Sequence, residues 1–186
     1  MYKQLGKFLK IIGFGFITLY YLVYMVMYIF RTSLPADWMY HALDFIQLMG
    51  WIAVTGGFSS MFFEERNLLD IICSVLFAVL SLIYAMTMVQ SLWGSCVSVL
   101  GIDVYRFIVD DLFDILIAVA LVLWAVKLFR TNLLASVLIV VSIIALPIAI
   151  RIIDNFHRGF VEYYIWINFS YVAVMAVRTF VAYLEN

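Results

Sequence analysis

Long apolar stretches, about six of them, alternate with short clusters of charged residues along this chain. The charge-poor runs cover 11–30, about 42–63, about 68–93, about 109–129, 131–150 and about 160–183. None alternates with period two, so each reads as a helix; runs of roughly 20 apolar residues cross a bilayer with every backbone amide bonded internally. The fourth is the shortest clean run. Only Ile115 to Val126 is free of charge, and spanning length requires residues 108–114 or an extended Lys127 stem. Pro147 lies near the end of the fifth run, where a lipid-embedded helix tolerates a kink. The expected fold is therefore all-α, a polytopic transmembrane helical bundle of about six spans that forms a single domain over 1–186.

Composition narrows the setting to a membrane. With 67% hydrophobic and 12% charged residues, the chain has too little polar surface to cover a water-soluble globule. Charge then orients it. If the amino terminus is inside, Lys3, Lys7, Lys10, Arg66, Lys127, Arg130 and Arg178 fall on the inner side and Arg31, Arg106, Arg151 and Arg158 on the outer, which the positive-inside rule favours. The three amino-terminal lysines suit an anionic inner leaflet, as in a bacterial plasma membrane or an organellar inner membrane.

Acidic residues collect on the outer side: Asp37, Asp44, Asp103, Asp110, Asp111, Asp114, Asp154 and Glu162. Arg151, Asp154, Arg158 and Glu162 are spaced to pair along one helix, as are Arg106 and Asp110. Asp37, Asp44, Asp103, Asp111 and Asp114 have no such local partner, and a mouth lined by them would concentrate cations.

The second run carries the best polar constellation. Helical spacing puts Asp37, His41, Asp44, Gln47, Trp51, Thr55 and Ser59 on one broad face, with Gly50, Gly56 and Gly57 leaving room for a close backbone approach or a cavity. Weaker stripes follow: Asp70, Ser74, Ser81 and Tyr84 on the third run, Tyr164, Asn168, Tyr171 and Arg178 on the sixth, and Tyr20, Tyr24 and Tyr28 on the first. Polar groups in hydrocarbon face protein or water, so these runs should enclose a wet interior, although the same residue types also serve as glue between helices. The fourth and fifth runs are aliphatic through their middles and are expected to face lipid or a partner.

These placements suggest a channel or transporter subunit for a cation or small polar solute, working as an oligomer or with other membrane subunits. Asp44, Gln47, Trp51 and Thr55 would line the pathway beneath Asp111 and Asp114, with Asp70, Ser74, Asn168 and Tyr171 as a secondary polar stripe. The alternative is a non-catalytic scaffold or accessory subunit of a larger membrane complex. Catalytic motifs are missing: there is no His-Glu-x-x-His, no Gly-rich phosphate loop and no Cys-x-x-Cys. No enzyme activity, cofactor, metal or nucleic-acid partner is expected, and His41 and His157 alone make a weak case for haem or metal.

Three further features of the chain bear on its function. FRTSLPA from Phe30 echoes FRTNLLA from Phe129, and the copies would point opposite ways, as inverted repeats of transporters do. Asn67-Leu68-Leu69-Asp70 resembles the opening of the third helix of voltage-sensor domains, but no arginine ladder follows before Arg151. The plan of six helices in under 200 residues is similar to the substrate-binding subunits of energy-coupling-factor vitamin transporters; that likeness is architectural and assigns no residue.

Overall fold

The structure, a computed structural model, describes residues 1–33, 37–156 and 159–185, and of residues 37 and 90–92 the backbone alone. It is helical throughout: α1 (Tyr2–Phe30), α2 (Asp37–Glu65), α3 (Leu68–Met88), α4 (Gln90–Leu100), α5 (Ile102–Arg106), a π-helical segment (Phe107–Leu112), α6 (Phe113–Phe129), α7 (Leu133–Phe156) and α8 (Phe160–Leu184). The stretch Ile102–Phe129 runs as one rod, and six helices are long and apolar enough to cross a membrane. The chain is thus a multi-pass membrane protein by the length and hydropathy of its helices.

The spanning helices close into a ring. α1 packs on α2, α2 on α3, α3 on α6, α6 on α7, α7 on α8, and α8 returns to α1. Successive spans are antiparallel, so both termini, the α2–α3 turn and the α6–α7 turn share one end, here called the terminal face; the opposite end is the distal face. Outward-pointing Leu22, Val75, Leu82, Val122, Val140 and Ile144 are exposed, which is the pattern of a lipid-facing surface. Inward-pointing Phe14, Trp51, Phe58, Phe77, Leu121 and Trp124 are fully buried.

The tightest seam is α1 against α2. Gly6 and Gly13 on α1 oppose Gly57 and Gly50 on α2, seven residues apart on each antiparallel helix. A Cβ on Gly13 would sit 2.6 Å from the Gly50 carbonyl oxygen, and one on Gly57 would sit 2.8 Å from that of Gly6. The two backbones therefore touch, as small residues allow where no water-driven force brings helices together. The α8–α1 seam uses stacked tyrosines instead: Tyr21 on Tyr171 with centroids 4.4 Å apart, and Tyr28 on Tyr164 at 5.0 Å.

Turn chemistry accounts for the ends. Arg31 takes a left-handed conformation (φ 50°) and closes α1 through bonds from its own and the Thr32 amide to the last carbonyls. Asn67 caps α3 by accepting from the Leu69 amide, and Asn132 caps α7 by accepting from that of Ala135. The sequence echo does not make one shared turn, since Arg130 is right-handed (φ −82°) where Arg31 is left-handed.

Several expectations are corrected. The third span ends at Met88 rather than near 93, because Val89 leaves helical geometry (φ −104°, ψ 97°), and the connection after it is the helix α4. The fourth span does take in residues 108–114, as its length required, but it begins earlier than 109, at Ile102, with its charged first turns carried through a π-helical segment. α6 does not simply face lipid: Ala120, Leu121, Trp124, Ala125 and Leu128 are buried along one stripe. An all-apolar helix gives no polar side by which the sequence can show its packed side.

Candidate functional site

From the terminal face inward, the ring interior holds an ion cluster, then an aromatic layer, then two cavities nearer the distal face. The ion cluster joins five elements. Lys127 on α6 reaches Asp70 of α3 at 2.9 Å, Glu185 beyond α8 at 3.1 Å and Glu65 of α2 at 3.2 Å. Lys10 of α1 pairs with Glu185 and lies over the Phe58 ring, 4.4 Å from its centroid. Trp124 donates its indole N–H to the same carboxylate at 3.2 Å. Lys3 completes the set on Glu65 at 2.9 Å. Lys3, Lys10 and Lys127 thus balance Glu65, Asp70 and Glu185, which is what lets these charges be buried at all.

Lys10 is not an exposed leaflet anchor, as its place near the amino terminus suggested; it is wholly buried. Burial works against the charge of Glu185, but Lys10 and Lys127 outweigh it and hold the carboxyl below the ordinary glutamate value.

Above the cluster, Phe14 stacks on Trp124 at 5.7 Å, Phe58 on Phe77 at 5.4 Å, and Trp51 on Phe77 at 5.9 Å. These rings fill the centre of the bundle. Trp51 therefore belongs to a packed aromatic layer rather than to an open wet stripe. Thr55 bonds the carbonyl of Trp51 in its own helix, 3.0 Å away. Ser74 joins Ser59 at 2.5 Å and the Thr55 carbonyl at 3.3 Å, so it ties α2 to α3. Asn168 likewise bonds the carbonyl of Tyr164 at 2.7 Å. Asp70 is taken up by Lys127.

The remaining predicted residues lie toward the distal face. Gln47 is buried; it accepts from the Tyr84 hydroxyl at 2.7 Å and donates to the Tyr21 oxygen at 3.5 Å. Beside it, Tyr20, Tyr21, Tyr84, Thr87 and Phe113 line a chamber of ≈ 300 Å³. Asp44 sits one turn above, near His41 and hydrogen-bonded by Tyr20. Asp110, Asp111 and Asp114 stand at the rim on the π-helical segment and the start of α6, all three exposed; such π-helical insertions are frequent at functional sites. Asp37 has only its backbone described, and His157 lies outside the described residues. Among the described residues, no group of three or more His, Cys, Asp or Glu side chains is arranged to hold a metal ion.

A second cavity, also ≈ 300 Å³, lies across Tyr21 and Phe113 from the first. It is walled by α6, α7 and α8, and Trp51, Asp114, Tyr171 and Arg178 reach it. The sequence places Arg178 on the polar stripe of the sixth run, near its inner end, but not among the pathway residues, and does not single it out as the cation of a cavity. Its i+7 spacing from Tyr171, on a helix otherwise poor in charge, was the available signal. Comparison with family models, with curated proteins and with solved structures finds no match to this chain.

Proposed function

We propose that the protein is a transporter-type subunit that takes a cation or small polar solute from the distal face into the chamber beside Gln47. The observation that carries this reading is a polar chamber ending on an aromatic seal: Gln47, Tyr20, Tyr21 and Tyr84 line its walls, and the stacked Trp51, Phe77 and Phe58 lie beneath. A dead-end chamber of this kind favours a gated carrier over an open channel. With the amino terminus inside, the chamber lies toward the outer side, where Asp44, Asp110, Asp111 and Asp114 would enrich cations. Completing a passage then needs a second conformation, in an oligomer or with other membrane subunits.

The test is water accessibility in the intact membrane. In a Cys96→Ser background, with Cys73 buried, cysteines at 47 and 84 should react with a membrane-impermeant thiol reagent added from the distal side. Cysteines at 55 and 59 should not. A chamber dry at 47 and 84 would instead favour the scaffold or accessory reading, in which the polar groups only hold helices together.

A further inference from the structure

The second cavity contains a cation that the protein itself does not neutralise. Arg178 is 3% exposed, and among the described residues no carboxylate lies within ion-pair distance of it. Its contacts are long ones, Nε to the Ser142 hydroxyl at 3.4 Å and Nη1 to the Met175 sulfur at 3.5 Å. A guanidinium has five N–H donors in a planar fork, so most of its hydrogen-bonding capacity remains unused. The contrast with Lys10 and Lys127, each held by carboxylates at the other end of the same bundle, is sharp. A charged side chain in a membrane interior is costly and normally marks a ligand or a pathway.

A wall residue of the same space carries an unpartnered donor. Trp51 Nε1 is buried with no hydrogen-bond partner among the described residues, and Trp51 lines this cavity. Tyr171, stacked on Tyr21, also borders it. Asp114 and Tyr21 also line it, and the other walls are hydrocarbon, including Ile117, Leu121, Ile143, Leu146 and Ile150. α6 and α8 make no backbone contact with each other, so the cavity occupies the gap between them, behind α7.

We propose that this cavity binds a monocarboxylate with an apolar body, such as a medium-chain acyl anion, its carboxylate on Arg178 with Trp51 Nε1 as additional donor and its chain along α6 and α7. A single guanidinium with neutral donors matches one negative charge and the planar fork of a carboxylate. A phosphate dianion would ask for a second cation, and Asp114 at the wall disfavours extra negative charge. The small volume suits one short chain rather than a two-chain lipid. The inference goes beyond the transport reading and holds whether or not a solute crosses the bundle.

Decanoate is the probe, titrated by calorimetry into the protein in nanodiscs, with empty nanodiscs as baseline and decanol and decyl phosphate as comparisons. Decanoate should bind saturably, one per chain, about tenfold or more tighter than decanol. Arg178→Met should abolish that preference, Arg178→Lys should keep part of it, and Trp51→Phe should weaken decanoate several-fold. Ile143→Trp, which fills the cavity without touching a charge, should block both ligands and guards against a misfolded Arg178→Met. Binding no stronger than to empty nanodiscs, equal affinity for decanol, tighter binding of decyl phosphate, or decanoate binding unchanged by Ile143→Trp would each overturn the assignment.

Discussion

Gln47 and Glu185 are both buried polar side chains, and their surroundings make opposite demands on them. Gln47 is bridged by two tyrosines at the edge of a chamber, so water can replace a lost partner there. Tyr84→Phe is therefore expected to cost about 1 kcal/mol or less by reversible unfolding in detergent, whereas a dry site would lose about 1–3 kcal/mol. Glu185 sits between two buried lysines and an indole N–H. Glu185→Gln leaves Lys10 without a carboxylate and is expected to destabilise by about 3 kcal/mol, while Lys10→Met combined with Glu185→Leu should recover much of that loss.

The sign of the pH effect at Glu185 follows from its lowered carboxyl. Its contribution is fully present above the ordinary glutamate value of 4.5 and is lost as pH falls through the lowered value in the folded protein. Acid unfolding of the native chain should therefore be steeper below about pH 4 than that of Glu185→Gln. Equal acid sensitivity of the two would show that the Glu185 carboxylate does not stabilise the ion cluster.

At the level of elements, the α1–α2 pair is where a single methyl group matters most. Gly13→Leu pushes a side chain into the Gly50 carbonyl and Val54, and overpacking of this kind costs about 1–3 kcal/mol. Gly15→Leu, three ångströms of helix rise away on a face with nothing within 4 Å, should be neutral in the same unfolding assay. The start of α3 was legible locally, with Asn67 as its N-cap, whereas the end of α7 was not: the apolar run stops at 150, but the helix passes Pro147 and continues to Phe156. The break at Val89 was not legible either, because a valine in an apolar run carries no turn signal. The π-helical segment also left no mark in the pattern, since one extra residue per turn does not change which residues are apolar.

For the whole molecule, closing the ring makes sequence-distant charges meet. α8 returns to α1, and with it Glu185 is brought to Lys10 and Lys127. The same closure encloses the two cavities about Tyr21 and Phe113. In the labelling experiment, a boundary between reactive 47 and 84 and unreactive 55 and 59 measures where the aromatic layer seals the ring.

Hydropathy along the chain determined the class of this protein, the number of its spans, the gathering of most of its carboxylates toward the distal end and Gln47 as an interior polar group. Those features follow from the cost of placing unsatisfied backbone and charge in hydrocarbon, which acts on each segment separately. Which faces pack, which charges pair and which stay open was decided only in three dimensions. Lys10 and Arg178 each look like a helix-end cation in one dimension; one is neutralised by a residue at the other end of the sequence and the other is left facing a cavity. That difference rests on distances between helices, which no single segment encodes.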